Sequence, residues 1–158
     1  MSNVFAIAGA TILLFYLIAI VFYVLKSIAL QTLAANRGIE NPWLGWIPIA
    51  DLYIMGLLVK EMDVFGYRLD NLGLWCPVIF VGGAILTTIP VLGVIISVAL
   101  LVFAVLFTYR LFEIYTSQAI LYTVLSVLLC LFPVFLFIIR NNSPISSTPQ
   151  GVQPPNNY

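Results

Sequence analysis

In 158 residues the chain carries six basic and six acidic side chains, no histidine, and 63% hydrophobic residues. Only 8% of the residues are charged, against roughly a quarter in an average soluble domain, and the mean hydropathy is +1.13. So few charges cannot cover a wettable exterior, which excludes an ordinary soluble globule, and a net charge of zero argues against nucleic acid as a partner.

Charges are absent from 1–25, 71–109 and 114–139. Each run is at least as long as the ~20 apolar residues that cross a bilayer. The expected fold class is therefore all-α, an integral membrane helical bundle. A first span is predicted over about 4–25, with Lys26 snorkelling at its interfacial end. No Lys or Arg precedes its apolar run, and no clear small-residue cleavage site follows, so it reads as a retained span rather than a signal peptide. The helix is expected to continue through SIALQTLAANR and stop at Gly38, the usual residue for a left-handed C-cap. Asn41 then offers an N-cap, with Pro42 at the first helical position.

The stretch 43–60 is the second predicted span. The 39 uncharged residues from 71 to 109 are too long for one crossing. As a single helix they would run about 58 Å, nearly twice the hydrocarbon core. TTIP at 87–90 is the natural break, because proline removes an amide donor and clashes with the preceding turn. Spans are placed at 73–86 and 91–112, and a last one at 119–139, with Pro133 expected to kink it. Residues 1–140 then form one transmembrane domain of five segments, followed by a flexible, uncharged Pro/Ser/Asn/Gln-rich tail at 141–158. The alternative is four spans plus a re-entrant or broken segment at 43–60. Five crossings divide the basic residues three against three, whereas four leave Arg140 alone on its side, in better accord with the positive-inside rule.

Candidate chemistry is sparse. Without histidine the commonest general base and metal ligand are missing, and no nucleophile motif or phosphate-cradling glycine loop is present. No catalytic, cofactor-binding or metal-binding residue is expected, and no cofactor. Cys76 and Cys130 both fall in apolar spans, where they act as small hydrophobes. KEMDVFGYRLDN at 60–71 reads as a solvated interfacial loop. Arg110 and Glu113, three apart at a helix end, suit a local ion pair. Gly82, Gly83, Gly93 and Ser97 are small residues that allow helices to approach closely. Trp43, Trp46 and Trp75 fit an interfacial belt.

Asp51 stands apart, since an ionised carboxylate in the middle of 43–60 costs at least ~2.5 kcal/mol in a bilayer. No basic residue is expected at its depth, because Lys26 and Arg110 lie near span ends. Either Pro48 breaks the segment and Asp51 caps the half-helix LYIMGLLV, or Asp51 is a functional carboxylate that binds a cation or relays a proton. Asn41, Pro48, Asp51 and Tyr53 are thus the candidate polar site.

NPWLGW (41–46), IPIADLY (47–53), LGLWCPVIF (72–80) and TIPVLGVI (88–95) together resemble a largely uncharacterised family of small bacterial multi-pass membrane proteins with an IPxxNxY-type motif. The resemblance covers about 20–140 and departs at Asp51, where the family more often has Asn, and at the longer loop 60–72. It implies a bacterial cytoplasmic membrane and the five-span layout, and it supplies no activity. The expected function is that of a non-enzymatic small integral membrane protein, a scaffold, accessory or assembly subunit acting through helix packing. The expected partners are the lipid bilayer and further copies or other membrane proteins. The alternative is a subunit of a small oligomeric channel or transporter that uses Asp51 in a broken helix.

Overall fold

The computed structural model describes residues 2–64 and 66–145. The tail from 146 onward, expected to be flexible, lies outside the described residues. The described chain is mostly helical, in keeping with the all-α expectation: α1 Ser2–Asn36, a 3-10 helix Pro42–Trp46, α2 Ala50–Val59, strands β1 Met62–Val64 and β2 Tyr67–Leu69, α3 Leu72–Pro77, α4 Gly83–Leu86, α5 Leu92–Tyr115, α6 Ala119–Leu129 and α7 Phe132–Ile139. A π-helical turn over Val78–Gly82 joins α3 to α4, so Leu72–Leu86 is one continuous helix with Pro77 inside it.

Two helices have the length and apolarity to cross a bilayer. They are Ile7–Asn36, with mean hydropathy 2.5, and α5, with mean hydropathy 2.6. α1 has two unlike halves. Residues 7–21 are exposed throughout, whereas Ser27, Ala29, Leu30, Leu33 and Ala34 are buried against the bundle. The helix ends in a Schellman motif: Ile39 N–H bonds Ala34 O at 2.9 Å and Gly38 N–H bonds Ala35 O at 3.0 Å, with Gly38 at φ 66°.

Five junctions meet at one end of the bundle. The half-buried Arg37 donates from Nε to the Tyr115 hydroxyl at 3.1 Å and from Nη2 to Leu58 O at 3.2 Å. Leu72 N–H bonds Lys60 O at 3.2 Å. Asn36 Nδ2 reaches Arg140 O at 3.3 Å, and Asn142 Nδ2 reaches Tyr115 O at 3.0 Å. The ends of α1, α2, α5 and α7 and the start of α3 therefore share one level.

These junctions depart from the five-helix layout at two places, at 43–60 in the manner of the alternative with a broken segment there. The segment 43–60 is not one helix. Its 3-10 turn runs down beside α1, the chain reverses at 47–50, and α2 climbs back to Arg37. α2 has ten residues, or about 15 Å, half the thickness of a hydrocarbon core. Likewise 119–139 is a hairpin rather than one kinked span. The chain turns at Cys130, which sits at φ 52°, and α7 returns its end beside Tyr115. Pro133 does not kink a helix; it occupies the first turn of a new one, where its missing N–H is harmless. The break at 87–91 falls where TTIP placed it, and α5 runs three residues further toward the basic end than expected, to Tyr115.

The core is aromatic where α5, α6 and α7 meet. Phe112, fully buried, meets Tyr122 edge-on at 5.8 Å and lies 5.9 Å from Phe132. The loop expected at 60–72 folds into the β1–β2 hairpin, with Asp63 paired to Arg68 in register. Arg68 also bonds Glu61, from Nε at 3.2 Å, and approaches Asp70 at 3.4 Å. The hydrogen bond and charge of Glu61 raise the Arg68 guanidinium above its usual pKa. These groups are solvent-exposed, so the pairing adds little stability.

Candidate functional site

The site forms where the 39–60 hairpin lies against α1. Close approach is possible because Gly45 has no side chain: a Cβ there would stand 3.0 Å from Leu30 Cβ. The tip is pinned by the Tyr23 hydroxyl, which donates to Trp46 O, and by Trp46 Nε1, which donates to Gln31 Oε1 at 2.7 Å. Asn41 is not a side-chain cap. It takes φ 58°, and its Oδ1 accepts from Trp43 Nε1 at 3.4 Å. Pro42 opens the 3-10 helix, as its fixed φ favours. Pro48 sits in the turn before α2, and the next residue, Ile49, is driven to φ 77°, which is uncommon for a β-branched side chain. Tyr53 is half-buried with its ring against Gly73.

Asp51 is buried in the first turn of α2, whose N-cap position is Ile49 rather than Asp51. Its backbone N–H bonds Ile47 O at 2.9 Å, and Leu52 N–H bonds Ile49 O at 3.1 Å, so these two first-turn amides have backbone acceptors. Its Oδ1 accepts the Leu52 N–H at 2.8 Å, and its Oδ2 pairs with Lys26 Nζ. The expectation that no basic residue shares its depth is therefore corrected. Lys26 sits inside a helix of 35 residues, not at its end, because α1 continues past the apolar run by another ten residues to Asn36. The Lys26 side chain is 22% exposed and that of Asp51 8%, so the pair is shielded from solvent on the Asp51 side. Placed in the first turn, the carboxylate also faces the positive end of the α2 dipole. Charge parity was the available signal: Lys26 is the single cation bordering the first apolar run, and Asp51 the single anion within the next one.

The remaining candidates separate. Arg110 Nη1 pairs with Glu113 Oε2, three residues on. Ser97 Oγ donates back to Gly93 O at 2.6 Å, so this pair bonds within its own helix. Gly93 allows the 87–91 turn to close, since a Cβ would stand 3.0 Å from the Thr87 carbonyl carbon. Gly83 packs under Leu100, whereas Gly82 faces open space. Sequence reasoning missed Arg37, whose planar fork ties three elements together at the basic end. Among the described residues no group of three or more His, Cys, Asp or Glu is placed to hold a metal ion.

No protein-family model, curated protein or solved structure matches the chain. Its chemistry is thus read from its own geometry, in which both carboxylate oxygens of Asp51 already have donors.

Proposed function

We propose that the chain is a multi-pass integral membrane protein that acts as a non-enzymatic scaffold or assembly subunit. The supporting observation is the exposed half of α1, an apolar helix with no face covered between residues 7 and 21, rooted in a packed bundle by its other half. A helix satisfies its backbone internally and is stable in lipid, where packing with a helix of another chain is decided by close van der Waals fit. Lys26 and Leu52 account for Asp51 without a ligand, which leaves the channel or transporter alternative with less support. A photo-crosslinking residue in place of Ile12, which is 67% exposed, tests the role in native membranes. A covalent adduct with a second copy or another membrane protein is the expected result. Lipid adducts alone would exclude the scaffold role.

The proposed topology has three crossings, α1, Leu72–Leu86 and α5, with 39–60 and 119–139 re-entering from the basic end. Arg37, Lys60, Arg68, Arg110 and Arg140 then share one side, which the positive-inside rule makes cytoplasmic. The bacterial cytoplasmic membrane is the setting that the family resemblance implies. With Cys76 and Cys130 replaced by Ala, single cysteines at Tyr67 and Thr88, both exposed, read the two sides. A membrane-impermeant maleimide should label Thr88→Cys in intact cells, and Tyr67→Cys only after permeabilisation. Labelling of both from one side refutes this arrangement.

A further inference from the structure

We infer that the groove between Leu72–Leu86 and α5 holds an acyl chain of an anionic phospholipid, with its phosphate drawn to Lys60 and Arg37. This rests on the membrane reading above. The groove encloses about 830 Å³, within the range of ligand sites, and its walls are apolar: Val78, Gly82 and Leu86 on one side, Ile95, Ala99 and Leu106 on the other. Two features make the space. The π-helical turn at Val78–Gly82 widens the first wall, and Gly82 adds no side chain to fill it, since nothing lies within 4 Å of where its Cβ would be.

The groove leads to charge. Leu106 and Arg110 are four apart on α5 and so share a face one turn removed. Val64, at the same end of the groove, belongs to the β1–β2 hairpin beside that turn. Arg110 in turn lines a polar cavity of about 560 Å³ with Arg37, Lys60 and Glu61. Glu61 there is already bonded by Arg68, and Arg110 is paired with Glu113, which leaves Arg37 and Lys60 as the lining cations without a carboxylate partner among the described residues. Lys60, exposed at the end of α2, has no ion-pair partner among the described residues. An apolar channel that ends beside two cations without acidic partners complements one molecule class, a lipid whose phosphate carries a net negative charge. A zwitterionic lipid would satisfy the groove and waste the cations, and free phosphate would do the reverse.

The test uses the full chain in detergent with dioleoyl phosphatidylglycerol, dioleoyl phosphatidylcholine or inorganic phosphate as probes, read by native mass spectrometry. The wild type should retain phosphatidylglycerol over phosphatidylcholine. Lys60→Gln should lower that preference roughly fivefold, the worth of one cation at a membrane surface, and Lys60→Arg should keep it. Gly82→Phe, which has room for its side chain, should weaken both lipids while leaving their ratio unchanged. Equal retention of the two lipids, retention unmoved by Gly82→Phe, or full displacement by inorganic phosphate would each overturn the inference. A carbonate wash of the membranes separates the two levels. Release into the supernatant defeats the membrane reading itself, whereas a chain that stays in the pellet without lipid preference defeats only the lipid site.

Discussion

Asp51→Ala is expected to lower stability by about 3–5 kcal/mol, measured by reversible unfolding in mixed micelles, because it strands Lys26 without its counter-charge. Lys26→Ala should cost a similar amount, for the reciprocal reason. The double variant should cost clearly less than the sum, since neither charge is then left alone. Asp51→Asn is the mild change: an amide oxygen can still accept from Leu52 N–H and from Lys26. Exchanging the two residues keeps the pair but puts a cation in the first turn of α2, against the helix dipole, so the exchanged form should fall below the wild type. Additive single losses would show that the two residues act independently and that this pair does not hold the 39–60 hairpin against α1.

The second large effect is expected at Gly56, buried where α2 crosses α3. A Cβ there would stand 2.5 Å from the Leu72 carbonyl carbon and 2.7 Å from Gly73 N. Both are backbone atoms, so no side chain can swing away and the two helices must separate. Overpacking of this kind costs typically about 1–3 kcal/mol and occasionally more. Alanine recovers only ~1 kcal/mol over glycine as a helix former, so the sign stays unfavourable. Gly56→Ala should therefore lose about 2 kcal/mol or more in the same assay. Gly9→Ala, with nothing within 4 Å of its Cβ, should be neutral or slightly stabilising. Equal stability of the two variants would contradict the α2–α3 packing described above.

Where the chain breaks was legible wherever a residue announces it by its own chemistry. Gly38 ends α1 because glycine takes a left-handed conformation without strain, and Pro48 and Pro90 mark reversals because neither can donate to a helix. The turn at Cys130 gave no such sign. Cysteine, like Ile49, Lys60 and Val91, is held at positive φ by the packing on either side of it, and tertiary structure overrides local preference there. That single turn decides whether 119–139 passes through or comes back. Asp51 was recognised as out of place, but its explanation was sought within its own segment. The answer lay 25 residues away, on a helix whose true length exceeds its apolar run.

The return of both hairpins to one end has a consequence for how such a chain enters a bilayer. In the proposed topology only the start of α1 and the 87–91 turn reach the far side, and neither 1–25 nor 71–109 contains an ionisable acidic or basic side chain. Ten of the twelve remain on the side of synthesis, and Lys26 and Asp51 enter only to the depth of the re-entrant hairpin, as a pair. Insertion then drags no net charge through hydrocarbon or against the electrical potential, where each elementary charge is worth about 2.3 kcal/mol per 100 mV. The fold gains its layered interior by dipping in and withdrawing, so the charged part of the barrier to its biogenesis is confined to one pair of zero net charge.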